Sequence, residues 1–243
     1  MSSDAFDATF TRHALASYGK QLRLADLLEE AGPWDLDLNA GTLTFENGPT
    51  FPIGLLGSWG EGAGSWLWVW GNDGMSGLPG EVTATAEAMR TFGEAQRIDE
   101  FSRAETEAAD ETFCHRLAMI AVGESGAGAY YRAPYQGGAA YLTIREALPP
   151  DEERHRLARV QRVIAEAIST FEMPHRAAIE AYAGTEGLTL RETEESEVML
   201  SAAGGEMRIR FDGEGRIAEM KALLEGKREK KGGWFSRLFG GRE

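Results

Sequence analysis

Cys114 and His115 are adjacent, and Glu111 lies one helical turn before the histidine. On a helix, Glu107, Glu111 and His115 share a face at four-residue spacing. A metal held there would need a further ligand from elsewhere, and the chain has no HExxH pattern. Cys114 points to a different side of that helix, so a Cys–His nucleophile pair would need another histidine. The set reads as a small buried thiol beside a solvated acidic face. Arg154, Arg156, Arg159 and Arg162 surround His155 in a basic stripe that would suit an anion or a partner, although Glu152 and Glu153 offer ordinary surface pairing. Asp35 and Asp37 alternate with Trp34, Leu36 and Leu38. They form the solvent side of a strand rather than an acid/base pair, and Glu194-Glu195 falls in a turn. Gly57 to Ser65 is glycine-rich like a phosphate loop, but it lacks the Lys-Ser/Thr ending and runs into a strand, not a helix. No Gly-x-Ser-x-Gly elbow occurs. These residues name no reaction, require no cofactor or metal, and favour a binding role over an enzymatic one.

The aromatic residues offer a different site. Five of the six tryptophans lie within residues 34–70. Read as an extended strand, Trp66, Trp68 and Trp70 project to one face, with Leu67 and Val69 on the other, so both faces are apolar and the strand is expected in the middle of a sheet. Such indoles ordinarily build a core. The alternative is a pocket wall in which Trp66, Trp68 and Trp70, beside Ser58 and Asn72, grip an apolar or sugar-like ligand.

The elements that would position these groups follow from periodicity. Leu15, Tyr18, Leu22, Ala25 and Leu28 predict a helix over 11–31, stopped by Gly32-Pro33. Hairpins are expected at 34–45, at Phe51–Trp59 with Trp66–Trp70, and at Tyr130–Tyr135 with Ala139–Ile144. Helices are expected near 81–96 and 103–121. Pro149-Pro150 marks a boundary, followed by a long helix over 151–183 interrupted near Pro174. Leu188–Glu192, Val198–Ala202, Met207–Phe211 and Arg216–Met220 make an antiparallel meander with tight Gly204-Gly205 and Asp212-Gly213 turns. The expected class is α+β: antiparallel hairpins packed by helices, then a long helix and a small meander. Three units result: a Trp-rich domain at 1–148, the helix and meander at 149–226, and a tail at 227–243.

Charge separates that tail from the rest. The chain carries a formal charge of −14, yet residues 227–243 hold six basic and two acidic side chains, against 19 and 37 in the other residues. The acidic body disfavours nucleic-acid binding and would steer a cationic partner, as an immunity or inhibitor protein does. A single cysteine excludes an intrachain disulfide. There is no uncharged apolar run of the roughly 18 residues a spanning helix needs, and MSSDAFDATF is not a secretory leader, so a cytoplasmic location is expected. In the tail, Lys227, Arg228, Lys230 and Lys231 precede Trp234, Phe235, Leu238 and Phe239, with Arg237 among them. If helical, the four large apolar residues share an arc while Ser236 and Arg237 lie opposite. That pattern suits reversible contact with an anionic membrane surface, or alternatively a groove on a partner protein.

Two stretches resemble known sequences. Leu56-Gly57-Ser58, Trp66-Leu67-Trp68-Val69-Trp70-Gly71-Asn72 and Ala129-Tyr130-Tyr131-Arg132-Ala133-Pro134 resemble the signatures of an uncharacterised bacterial domain family, over about residues 15–145. That family has no established activity, so the resemblance assigns no functional residue. Lys230 to Gly241 resembles the membrane-targeting tail of MinD-type division-site ATPases, but the body has no Walker motif, so ATPase activity is not implied.

Overall fold

The computed structural model describes residues 2–108 and 110–224. The tail read as a membrane or partner segment, Lys227 to Phe239 included, lies outside the described residues.

Helix α1 (Asp4–Leu27) opens the chain, and the Ser3 hydroxyl caps it by accepting from the Phe6 amide. It is followed by β1 (Trp34–Asp37), β2 (Thr42–Phe45), β3 (Thr50–Gly60) and β4 (Ser65–Trp68). Then come α2 (Gly80–Gln96), the short α3 (Asp99–Ser102), β5 (Glu105–Glu107), α4 (Glu111–Ser125), β6 (Ala129–Tyr135) and β7 (Gly138–Ile144). The remainder is α5 (Leu157–Thr170), α6 (His175–Glu186) and strands β8 (Thr189–Glu194), β9 (Glu197–Ala202), β10 (Gly205–Phe211) and β11 (Ile217–Leu224). The class is α+β with antiparallel sheets.

The long strand β3 is the hub of the first sheet. Its Thr50–Pro52 end pairs with β2, its Gly57–Gly60 end with β4, and β7 runs along its other edge. Leu56 falls out of register between Leu55 and Gly57, a bulge that bends β3 as it changes partners. A second sheet orders β11-β10-β9-β8. Helix α4 is the central buried helix, with Leu117 to Val122 entirely inside. Helix α1 packs on α4 and also on α5 and α6, so one continuous core runs across the Pro149-Pro150 boundary. Phe10 of α1 against Phe171, with centroids 5.5 Å apart, is one such contact.

Three expectations are corrected. The helix expected over 103–121 begins only at Glu111, where Asp110 caps it by accepting from the Thr112 amide. Glu105–Glu107 is instead a strand that covers the outer edge of β4. The helix expected over 151–183 begins only at Leu157, residues 152–155 being turns. The interruption expected near Pro174 is present: Phe171–Pro174 separates α5 from α6, with buried Phe171 extended against Phe10. The tryptophan strand ends at Trp68, and Val69–Gly71 is a turn of 3-10 helix, so Trp70 leaves the strand. The strand is fully buried on its Trp66/Trp68 face and half-buried on the Ser65/Leu67 face, since nothing in the pairing covers that side completely.

Candidate functional site

Trp66 and Trp68 are fully buried. Trp68 donates its indole N–H to the Glu100 carbonyl at 3.0 Å, packs edge-on against Trp66 at 5.2 Å and stacks with Trp70 at 6.5 Å. Trp70 is half-buried, with the Arg90 guanidinium 4.7 Å over its ring. Register puts Ser58 opposite Leu67, on the other face of the sheet from Trp66 and Trp68. Asn72 uses its side-chain oxygen locally, accepting from the Gly74 amide. The structure thus brings the three indoles together and leaves Ser58 and Asn72 apart from them.

Beneath the indoles lies a polar cluster. His115 Nδ1 is 2.7 Å from the Tyr130 hydroxyl, and its ring packs edge-on against Tyr141 at 5.4 Å. Glu111 accepts two bonds from Arg132, at 2.9 and 2.6 Å. Glu107 is in β5 and shares no helix with these groups. Among the described residues, no group of three or more His, Cys, Asp or Glu is placed to hold a metal. Burial first, then Glu111, pushes the Cys114 thiol up to about 12, so it stays protonated at neutral pH and is a poor nucleophile.

Burial also holds His115 below its usual value, with Glu111 opposing the shift, and His175 is lowered for the same first reason. The unfolded histidines then bind protons that the folded ones refuse, so this stability is present above about pH 6.5 and is lost as pH falls. The denaturant midpoint is expected to drop between about pH 7 and 5.5. His115→Gln should flatten part of that slope; an unchanged profile would refute the assignment. Lowered carboxylates such as Asp7 and Asp212 act in a more acidic window.

A more enclosed cleft lies elsewhere. Ala16, Gly19, Lys20 and Arg23 fall at i, i+3, i+4 and i+7 on α1 and present one face. Arg159 and Val163 of α5 and Tyr182 and Glu186 of α6, each pair four residues apart, face the same space. The turns at 126–128 and 147–151, with Arg154, close a cleft of about 170 Å³. Glu186, its side chain only 3% exposed, accepts from Arg154 Nε and Nη2 and lies 3.1 Å from His155 Nε2. Arg159 is held by Asp26 at 2.8 Å and Asp151 at 3.4 Å. Lys20 donates to the Ala127 carbonyl at 2.8 Å, and Arg23 to the carbonyls of Pro149 and Pro150 at 3.3 and 2.9 Å. Burial first, then Arg154, lowers the Lys20 pKa, while Glu186 opposes the shift. Tyr182 is 2% exposed, and burial raises its phenol.

The basic stripe expected from Arg154, Arg156, Arg159 and Arg162 is therefore split. Arg154 and Arg159 enter the cleft, while Arg156 pairs with Glu153 and Arg162 with Glu166. Lys20, Arg23 and Tyr182 were not legible as site residues. The i, i+3, i+4, i+7 spacing around Lys20 was the available signal, but a basic face beside small residues is common on surface helices.

A second, wider depression of about 740 Å³ lies beside the first turn of α1. Its buried Glu100 carboxylate accepts from the Ser3 amide and hydroxyl, and its Arg116 pairs with Asp7 at 2.5 Å. Arg116 Nε and Thr106 Oγ1 are buried there without a hydrogen-bond partner among the described residues. Among the described residues, no helix is long and apolar enough to cross a membrane.

A family model described as a family of unknown function, DUF6882, matches residues 7–147. That span contains the 15–145 region resembling an uncharacterised domain family. No curated protein and no solved structure matches the chain.

Proposed function

We propose, starting from a chain that belongs to the DUF6882 family of unknown function, that this is a non-enzymatic binding protein. Its acidic body takes up a ligand or partner, and residues 227–243 hold it reversibly at an anionic membrane surface. The observation that carries the reading is the division of charge: six basic against two acidic side chains in 227–243, and 19 against 37 in the rest. Each Lys or Arg close to anionic headgroups contributes roughly 1 kcal/mol, and Trp234, Phe235, Leu238 and Phe239 supply apolar area to the interface. Edge strand β11 ends at Leu223 and Leu224, 39% and 77% exposed, so the chain reaches residue 224 at the surface rather than in the core. The protonated, buried Cys114 and the engaged Glu111 support a binding role over covalent catalysis.

Co-sedimentation with vesicles of mixed neutral and anionic lipid tests this. The full chain is expected to pellet in low salt and to be released by about 0.5 M salt, where screening falls within a few ångströms. Trp234→Ser with Phe235→Ser should abolish pelleting. Equal, salt-insensitive pelleting of both proteins would end the membrane reading. If neither pellets, and a cationic protein is captured in a salt-sensitive complex, the acidic surface is the binding determinant instead.

A further inference from the structure

We propose that the cleft between α1, α5 and α6 is a binding site for a small organic oxyanion, a carboxylate or phosphate monoester with a compact apolar body, recognised by Lys20, Arg23, Arg154, Arg159 and the Tyr182 hydroxyl. This rests on the reading of the body as a binding module and is independent of the tail.

Charge is the first argument. Four cations line the cleft against two carboxylates, Asp151 and Glu186, in a protein of net charge −14. The carboxylates are already committed, Glu186 to Arg154 and Asp151 to Arg159. Those two guanidinium groups are thereby fixed in position and keep further N–H donors available. Lys20 and Arg23 have no carboxylate within 4.0 Å among the described residues; main-chain carbonyls alone hold them. Burial of the Lys20 ammonium is only partly offset by Glu186, which lies beyond contact distance, and an anion in the cleft supplies the direct contact that Lys20 lacks.

Tyr182 is the second argument. It is almost wholly buried, lines the cleft, and its hydroxyl makes no hydrogen bond among the described residues. The ring is buried but the hydroxyl is the accessible end of the side chain, and Arg154, Arg159, Asp151 and Glu186 are the charges that act on it. Raised by burial, the phenol stays protonated and donates to an oxyanion.

Shape is the third. Ala16 and Gly19 keep the α1 wall low, and Val163 and Leu148 add apolar surface. A cavity of about 150 Å³ accommodates benzene, so 170 Å³ admits a ring or short chain with one charged head but not a nucleotide. Three of the walls come from faces of α1, α5 and α6, which suits a preformed site, and the segments at 126–128 and 147–151 close the rest.

The test uses the full chain without vesicles, with phenyl phosphate and benzoate as probes, titrated calorimetrically at constant ionic strength against chloride. Saturable one-site binding of either probe is expected. Lys20→Met with Arg23→Met should weaken it by more than about tenfold, since two charge-assisted contacts are lost. Gly19→Leu keeps every charge and fills the space, so it should also remove binding while leaving the thermal midpoint unchanged or higher. Lys221→Met, on β11, should bind as the parent chain does. No heat beyond chloride, or equal affinity in the parent and both cleft variants, would overturn the proposal. Vesicle pelleting that falls in Lys20→Met/Arg23→Met, with no binding of either soluble probe, would also overturn it and assign the cleft to a lipid headgroup. Because the titration contains no membrane, its failure leaves the tail reading standing, and failed pelleting leaves the cleft standing.

Discussion

Trp68→Ala is expected to lower unfolding stability by about 4 kcal/mol, read from the urea midpoint at unchanged slope. The indole is fully buried, packs on Trp66, Trp70 and Phe101, and satisfies the Glu100 carbonyl. Its removal leaves a large void and an unpaired acceptor at once. Against a total of about 5–15 kcal/mol, that is a substantial fraction of what keeps the chain folded. The variant also decides between the two readings of the aromatic strand. A pocket wall, already open to solvent on one side, would lose ligand affinity with little change in stability; a core strand loses stability first. A shift below about 1 kcal/mol would mean that the site yields as a cavity wall would.

Gly57→Ala is expected to cost about 3 kcal/mol or more, an unusual penalty for adding one methyl group. A Cβ at this position would sit 2.4 Å from the Leu67 carbonyl oxygen and 2.9 Å from the Trp66 ring. Neither can yield cheaply: the first is backbone of the adjacent strand, and the second belongs to a fully buried indole. The same substitution at Gly62, in the turn between β3 and β4, meets nothing within 4 Å and serves as the control. Denaturant unfolding of the two variants side by side checks the contrast; similar midpoints would show that β3 and β4 can separate without penalty. The glycine of the Leu56-Gly57-Ser58 segment is thus explained by close approach of two strands, not by a ligand.

The two substitutions act on one junction. Immediately after its bulge at Leu56, β3 exchanges β2 for β4 as its neighbour, and the Trp66 ring fills the space that Gly57 leaves open. A sequence segment that looks like a site signature is, in three dimensions, a packing requirement.

Much was readable from the chain alone, because local chemistry set it. Two-residue alternation around Trp34–Leu38 and the glycine turns determined the hairpins, and the short connections required antiparallel sheets. The charge contrast of 227–243 is likewise a property of composition. The first helix, expected over 11–31 up to Gly32-Pro33, instead runs Asp4–Leu27, capped by Ser3 and ending at Leu28 before the Gly-Pro pair. What sequence misjudged were places where a distant partner overrode local preference. Glu105–Glu107 has a helical composition but becomes a strand because the edge of β4 needs covering. Asp151-Glu152-Glu153 looks like a helix start, but Asp151 is drawn to Arg159 and the helix begins at Leu157. Trp70 continues the strand pattern, yet stacking on Trp68 and Arg90 turns the backbone into a 3-10 helix. The candidate site was the least legible part, because Lys20, Arg23, Arg159 and Tyr182 are brought together only when α1 packs on α5 and α6. Periodicity reports which face of a helix is apolar; which helices share a cleft, and whether a lysine there meets a carboxylate, is settled by packing across residues more than a hundred positions apart.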